Sequence, residues 1–346
     1  MFAVLIFVLS CFFTHESPRY LVGAGYHDKA LENLAKLRNL PHDHEYVRNE
    51  LSDMEMSIAH EREATAGIGF LGLLKEAFPN PSNLYRIYIG VGGQLLSQWS
   101  GGSAITIYAS NLFATVGITG TRQSLLATVV FGLVKLISAL VCALFLVDII
   151  GRKRSLLIGI GLQTVSMVYV AAFLTRVPRI AESGYEPTAA EARASTAAIA
   201  FIYVSGAGWA LGWNSLQYLL TAELFPLRIR AFSTSLVMCI HFANAYGNSR
   251  AVPNMLLPTS EGGLGPDGTF WMFAAITITG GLWVVVTIPE TAGRSLETMD
   301  RVFSLPWYKI GLRGAREAAR IDDVNEVEDE KVATTHVDGK ADESRC

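Results

Sequence analysis

The chain has 346 residues, of which 51% are hydrophobic and only 17% are charged. An average soluble domain carries about 25% charged residues. Long stretches such as 87–121, 155–175 and 268–289 contain no Asp, Glu, Lys or Arg, and about 20 mostly apolar residues suffice to cross a bilayer. This composition excludes the disordered, collagen-like and ordinary cytosolic classes and predicts an all-α membrane protein with several spans.

The charge and cysteine content exclude several further classes. With a formal net charge of −3, no strongly basic region points to nucleic acid as a partner. The four cysteines lack the spacing of a metal site or a disulfide framework. No nucleotide-binding loop or nucleophile motif is present in a suitable context. We therefore expect no metal, no cofactor and no enzymatic activity.

The first predicted element is the apolar stretch at residues 1–14. It is shorter than a full span and has the length of a signal-peptide core, but no basic region precedes it and no small-residue cleavage site follows. The signal-peptide alternative is therefore the weaker one, and we interpret 1–14 as the end of a transmembrane helix.

A polar segment follows at residues 15–86 and is predicted to form a helical loop. A 3.6-residue apolar period predicts a helix around Ala30–Leu37 that stops near Pro41. An acidic helix is predicted from 44 to 63, and a short amphipathic helix at 70–78 ends before Pro79.

Six predicted spans come next, at 87–113, 123–147, 155–175, 197–221, 231–257 and 269–288. The connections at 152–154 and 228–230 carry Lys and Arg, whereas 258–268 carries neither. The positive-inside rule places the basic connections in the cytoplasm, together with 15–86 and the tail at 304–346. This tail is acidic and poor in aromatic residues, which predicts disorder.

Polar side chains inside the first of these spans are candidate binding residues, because an unpaired polar group is costly in lipid. Gln94 and Gln98 are four residues apart and share a helix face. Ser103 follows, and Gly101 and Gly102 would let the backbone bend around a bound solute. The alternative is helix packing through small residues and amide hydrogen bonds.

Charged and amide side chains in two other spans extend this set. Lys135 lies mid-span, where an ammonium costs roughly 2.5–3.5 kcal/mol, so it faces either an anionic solute or an internal carboxylate. His241, Asn244 and Asn248 lie on one side of their helix, and amides can both donate to and accept from hydroxyls. Arg250 beyond them either binds a carboxylate or snorkels to the interface.

Four charged motifs stand at the ends of the apolar segments: Glu16–Leu21 (ESPRYL), Asp148–Arg154 (DIIGRKR), Glu223–Arg230 (ELFPLRIR) and Pro289–Glu297 (PETAGRSLE). They resemble, in order, the elements that follow helices six, eight, ten and twelve of the sugar porters of the major facilitator superfamily. The resemblance covers residues 2 to about 303, but only the second half of a family member.

This resemblance implies a domain organisation. Residues 1–14 correspond to the end of helix six, 15–86 to the cytoplasmic helical loop, and 87–303 to the six-helix bundle of helices seven to twelve. The chain is then expected to be a truncated half-transporter, or to need another chain that supplies the N-terminal half.

The resemblance also implies a substrate site. Gln94 and Gln98 match substrate-binding glutamines of helix seven, and Asn244 and Asn248 match the paired asparagines of helix eleven. Ser103 replaces the usual Asn, and Tyr218 stands where a sugar-stacking Trp is common. With Lys135 and Arg250, the pattern is more similar to fungal quinate-permease-type members. The full candidate set is Gln94, Gln98, Ser103, Lys135, Tyr218, Asn244, Asn248 and Arg250.

The charged motifs suggest a second role, as a cytoplasmic latch that holds the bundles together while the outward side is open. The candidate gating charges are Glu16, Arg19, Asp148, Arg152, Lys153, Glu223, Arg230 and Glu290. Single exposed ion pairs contribute only about 0–1 kcal/mol, but a network can bias a conformational equilibrium. The alternative is that these charges only determine topology.

The predicted function is transport of a sugar or a quinate-like polyhydroxy carboxylate by alternating access, in the plasma membrane and surrounded by lipid. Proton coupling stays open, because the family's proton-linked acid lies in the first helix. A hexose facilitator and a non-transporting nutrient receptor are the alternatives.

Overall fold

A computed structural model describes residues 6–7, 15–65, 69–118, 120–180, 185–292 and 296–312, together with 314, 317 and 320. Within these ranges the chain is helical and contains no strand. It divides into two compact units, Met1–Leu73 and Leu74–Cys346.

The first unit is a small helical module. It contains α1 (Pro18–Gly23), α2 (His27–Arg38) and α3 (Glu45–Thr65), and α2 and α3 coincide with two of the helices predicted for the polar segment. Leu34 and Val47 pack in one of its small cores. Arg38 donates to Glu50, and this hydrogen bond holds the pKa of the Glu50 carboxyl below its ordinary value.

The helix α4 (Phe70–Ala77) coincides with the third predicted loop helix and leads into the second unit. The helices of that unit are α5 (Pro81–Trp99), α6 (Gly102–Ile107), α7 (Ala109–Thr115), α8 (Thr121–Val141), α9 (Val147–Ile149), α10 (Arg152–Arg176), α11 (Ala189–Trp209), α12 (Ser215–Leu224), α13 (Leu227–Met255), α14 (Gly265–Thr287) and α15 (Leu296–Phe303). Two π-helical turns, Cys142–Leu146 and Ala210–Asn214, and a 3₁₀ turn at Thr259–Glu261 complete the list.

Four helical stretches within the described residues are long and apolar enough to cross a membrane: Arg122–Leu146, Arg152–Arg176, Ala189–Thr221 and Gly265–Thr287. They coincide with the second, third, fourth and sixth predicted spans. The two remaining predicted spans correspond to α5–α7 and to α13. These two carry six of the eight candidate binding residues, and their polar content explains why they do not qualify by apolarity.

The first predicted span is broken, as its glycines suggested. The helix α5 ends at Trp99, and Gly101 adopts φ = +90°, a left-handed conformation that favours glycine. A Cβ at this position would lie only 2.8 Å from the Phe273 ring. The chain therefore changes direction in the middle of the candidate binding segment.

The core of the second unit consists of two apolar clusters. Trp213 and Phe225 are buried in one, and Phe113 and Phe273 in the other. By contrast, one face of α8 is highly exposed, with Leu133 at 52% and Ile137 at 61% of full exposure. An apolar helix face of this kind is stable in hydrocarbon rather than in water.

Residues 304–346 were predicted to be disordered, but the structure shows a helix near the start of this tail. Residues 307–312 are helical, Ile310 is buried in the core, and the Gly311 carbonyl accepts from Lys153 Nζ at 2.7 Å. Local composition could not indicate this helix, because the residues that contact it lie far away in the sequence. Beyond residue 312, all but three residues of the tail lie outside the described residues, as do all but Ile6 and Phe7 of the 1–14 stretch.

Candidate substrate site

A polar cluster joins α5, α12 and α13 around the imidazole of His241. Nδ1 of His241 lies 2.7 Å from Oε1 of Gln94, and the Tyr218 hydroxyl lies 3.1 Å from Nε2. Nε2 of Gln98 lies 3.4 Å from both ring nitrogens. Because a carbonyl oxygen only accepts, the contact with Gln94 places the proton on Nδ1, and Nε2 then accepts from the Tyr218 hydroxyl.

The cluster is deeply buried, yet several of its polar atoms are unused. Gln94, Gln98, His241 and Asn248 are each at most 4% exposed. Gln94 Nε2, Gln98 Oε1 and Asn248 Oδ1 have no hydrogen-bond partner among the described residues. Leaving a buried donor or acceptor unpaired costs about 1–3 kcal/mol, so these three atoms have unused hydrogen-bonding capacity.

The asparagines of α13 also bind the backbone of α5. Nδ2 of Asn248 donates to the Gln98 carbonyl at 2.9 Å, and Nδ2 of Asn244 donates to the Gln94 carbonyl at 3.4 Å. Trp99 Nε1 donates to Asn244 Oδ1 at 2.8 Å. The asparagine amides therefore hold α5 and α13 together beside the polar cluster, and their role in solute binding stays a prediction.

Lys135 lies in a different environment, beyond the break in the first span. Its ammonium donates to Oγ1 of Thr106 on α6 at 2.8 Å. It lies 4.3 Å from the ring centre of Trp209 and 5.8 Å from that of Phe131, which is cation–π geometry. In the described ranges no carboxylate pairs with Lys135, so the predicted internal counter-ion is not found there.

The remaining candidate residues are more peripheral. Tyr218 is 44% exposed, although its hydroxyl reaches His241. Ser103 is half-buried in the first turn of α6, and Arg250 is exposed. Hydrogen bonds thus join Gln94, Gln98, Tyr218, Asn244 and Asn248 in one cluster with His241. Lys135 and Arg250 form no hydrogen bond with this cluster among the described residues. His241, on the helix face of Asn244 and Asn248, was not included in the candidate set, although its three-residue spacing from Asn244 was a signal.

Four candidate gating charges of the second unit form a network between helix ends: Arg152, Lys153, Glu223 and Glu290. Arg152 Nη2 lies 3.2 Å from Glu223 Oε1, and Thr291 donates to the other oxygen of Glu223 at 2.7 Å. Glu290 accepts from the backbone N–H of Arg152 at 2.8 Å and of Lys153 at 3.4 Å. A carboxylate at the start of α10 also interacts favourably with the helix dipole.

Other charged candidates contact backbone carbonyls rather than carboxylates. Lys153 Nζ donates to the Val285 carbonyl at 2.9 Å as well as to Gly311, and Arg230 Nε donates to the Phe225 carbonyl at 3.1 Å. Glu16 and Arg19 belong to the first unit, where Arg19 donates to Ser57 at 3.5 Å. The side chain of Asp148 lies outside the described residues.

Comparisons with known proteins agree with this architecture. Residues 1–303 match the family model "Sugar (and other) transporter". The quinate permease of Emericella nidulans is 32% identical over 302 residues, covering 86% of this chain and 54% of that protein. The probable quinate permease of Aspergillus flavus is 30% identical over 301 residues, covering 86% and 53%. The chain spans about half the length of the curated relatives it matches.

A solved structure shows the same fold. The proton:xylose symporter XylE bound to 6-bromo-6-deoxy-D-glucose, of the major facilitator superfamily, superposes with a TM-score of 0.61 at 22% identity, covering 86% of this chain and 56% of that one. Since the family match extends over most of the sequence, this chain is a member of the sugar transporter family.

Proposed function

We propose that this chain contributes the solute-binding bundle of a transporter for a hydroxylated carboxylate of the quinate class, moved by alternating access. The observation that carries the proposal is Lys135, an ammonium within a membrane span that pairs with no carboxylate among the described residues. The names of the quinate permease relatives support the same solute class.

Recognition of the hydroxyl groups is assigned to the polar cluster. Gln98 Oε1 and Asn248 Oδ1 are free to accept, and Gln94 Nε2 is free to donate, within the described part of the chain. A ring with several hydroxyls can use acceptors and donors at once, since each hydroxyl has one donor and two acceptor positions.

Recognition of the carboxylate is assigned to Lys135. An ammonium has three donors, of which Thr106 takes one. Trp209 stabilises the cation through its ring, and its Nε1 is a buried donor without a described partner. A solute carboxylate would supply the missing negative charge, which offsets the roughly 2.5–3.5 kcal/mol cost of a cation at the centre of a span.

The charged network supports the conformational side of the proposal. Arg152 links to Glu223 through its side chain and to Glu290 through its backbone, so it connects the ends of α10, α12 and α14. Each pair contributes little alone, but breaking several together would bias the equilibrium between open and closed states.

The test measures uptake of labelled quinate by membrane vesicles that contain the protein, with unlabelled quinate or glucose as competitor. We expect Lys135→Met to weaken quinate competition about tenfold or more, as expected for the loss of a charge-assisted hydrogen bond, and to leave glucose competition unchanged. Lys75→Met, at an exposed lysine of α4, is the matched control. Equal losses for both solutes would contradict an anionic substrate.

A hexose facilitator is the second candidate. The neutral character of the polar cluster favours it, because Gln94 and Gln98 each contact His241 and Lys135 takes no part in these contacts. In that case glucose is taken up, quinate does not compete, and Lys135→Met has no effect. Under both candidates Gln98→Ala abolishes uptake while the protein still reaches the membrane.

A further inference from the structure

The break between α5 and α6 is held by side chains from two other helices. Nε2 of Gln163, on α10, donates to the Ser100 carbonyl at 2.9 Å and lies 3.1 Å from its hydroxyl oxygen. The Thr277 hydroxyl, on α14, lies 3.4 Å from the same carbonyl. A carbonyl at the end of a helix lacks a donor from the next turn, and the Gln163 carboxamide replaces it, because the single Thr277 proton goes to the Phe273 carbonyl at 2.7 Å.

These contacts are completely shielded from solvent. Gln163 and Ser100 are 0% exposed and Thr277 is 1% exposed. The next residue, Gly101, packs equally tightly, because a Cβ there would lie 2.8 Å from Phe273 and 3.1 Å from Met167. The helices α10 and α14 therefore contact the break through both a polar and an apolar surface.

Burying the Gln163 carboxamide costs free energy that its hydrogen bonds to Ser100 must offset. Its Oε1 is buried and has no partner among the described residues, which costs about 1–3 kcal/mol. An apolar side chain of similar size would fill the same space without that penalty. The orientation of the amide, with its NH₂ towards Ser100, indicates that the residue binds this carbonyl rather than merely filling the core.

The break separates the two parts of the candidate site. On one side α5 carries Gln94 and Gln98, and on the other α6 carries Thr106, which contacts Lys135. A solute that reaches both parts requires a fixed angle between α5 and α6. The side chain that fixes the Ser100 carbonyl therefore also sets the distance between the α5 amides and Lys135. A shift of about 1 Å in such a positioning group can change function strongly.

We infer that Gln163 is a positioning residue for the candidate site: its carboxamide fixes the break at Ser100 and thereby the placement of the α5 amides relative to Lys135. Gln163 itself does not touch the solute. The inference rests on the proposed transport function.

The test compares Gln163→Met, which keeps the side-chain size but cannot donate, with wild type in saturable uptake of quinate and of glucose. We expect the KM of the transported solute to rise about three- to tenfold, in line with a net hydrogen-bond contribution of about 0.5–1.5 kcal/mol. Thr277→Val should raise KM less, and Gln163→His should recover part of the loss because the imidazole can donate.

Thr164→Val is the matched control. The Thr164 hydroxyl bonds only within its own helix, to the Ile160 carbonyl at 2.8 Å, so its loss should leave KM within about twofold, a change that corresponds to less than 0.5 kcal/mol. A purely structural role of Gln163 would lower the amount of protein in the membrane, and hence the maximal rate, without changing KM. Unchanged KM in Gln163→Met, or an equal rise in Thr164→Val, would overturn the inference.

A second readout does not depend on transport. Ser103→Cys, in a background that lacks the native cysteines, reports the exposure of the first turn of α6 through its reaction rate with a methanethiosulfonate reagent. We expect Gln163→Met to change this rate at least about threefold, the factor that corresponds to roughly 0.6 kcal/mol, and Thr164→Val to leave it unchanged. Equal rates in both would overturn the inference.

If wild type takes up neither solute, the proposed function is wrong. The labelling rates of Ser103→Cys then test on their own whether Gln163 fixes the break at Ser100. If Gln163→Met does not reach the membrane, Gln163→Leu, which also removes the donor, is used for both measurements, and the same results support or overturn the inference.

Discussion

At the scale of single residues, His241 has a special position because it contacts side chains from two other helices. Its Nδ1 bonds to Gln94 on α5, and its Nε2 faces Tyr218 on α12. Loss of the imidazole would therefore leave polar atoms unpaired on two neighbouring helices, and it would release the side chains that present free donors and acceptors to a solute.

We expect His241→Leu to reduce uptake about tenfold, because stranding the buried Gln94 carboxamide costs about 1–3 kcal/mol. His241→Gln should retain more activity, since an amide can still donate to Gln94 and accept from Tyr218. Uptake per molecule of membrane-inserted protein is the measurement. Phe242→Leu, at an exposed neighbour on α13, is the control, and similar losses in His241→Leu and Phe242→Leu would contradict this role.

Residue spacing predicted part of this site and missed part. The i, i+4 separation of Gln94 and Gln98 was enough to place both amides on one face. The environment of Lys135 could not be predicted, because Thr106 and Trp209 are far from it in the sequence and meet it only through packing. Gln163 was also missed, since a single Gln in an apolar helix carries no local signal for the backbone carbonyl that it binds.

At the scale of helices, the start of α10 depends on a glycine and a distant carboxylate. Gly151 adopts φ = +100°, and a Cβ at this position would lie 2.7 Å from Glu290 Oε2. The Glu290 carboxylate accepts from the N–H groups of Arg152 and Lys153. Any larger residue at 151 would strain the backbone and displace the carboxylate from the helix end.

We expect Gly151→Ala to destabilise the folded protein by about 1–3 kcal/mol, the range for a non-glycine residue in this region of backbone space. The measurement is the thermal unfolding midpoint of the detergent-solubilised protein. Gly161→Ala in the same helix is the control, because no atom lies within 4 Å of its added Cβ, and it should be neutral or slightly stabilising. Equal midpoints for both variants would contradict the role assigned to Gly151.

Helix positions were largely predictable from apolar periods, but the irregular turns were not. The π-helical turns depend on contacts across the bundle: the Leu211 carbonyl, in the second turn, accepts from the thiol of Cys142, which begins the first, at an S···O distance of 3.2 Å. Neither residue has a local sequence pattern that indicates such a bond. The helix at 307–312 was missed for the same reason, since its partners lie in α10 and α14.

At the scale of the whole molecule, the distribution of basic residues predicts the orientation in the membrane. The connections at 152–154 and 228–230 carry Lys and Arg, whereas 258–268 does not, so the first two should face the cytoplasm. We propose that the 3₁₀ turn Thr259–Glu261 lies outside and that residue 304, after α15, lies inside.

Cysteine labelling of intact cells tests this orientation. In a background without native cysteines, Ser260→Cys should react with a membrane-impermeant maleimide, and Ser304→Cys should react only after permeabilisation; both serines are exposed. The reverse pattern would contradict the predicted orientation.

The bonds that His241 already makes have a consequence for affinity. Because His241 already holds Gln94 Oε1 and Gln98 Nε2, a solute hydroxyl meets only the opposite atoms of these two amides, and it gives up its own hydration to do so, so the net gain per contact is small. Such a site discriminates between stereoisomers by geometry while it holds each of them loosely. For a carrier this is an advantage, because a solute that dissociates readily does not delay the return of the empty protein.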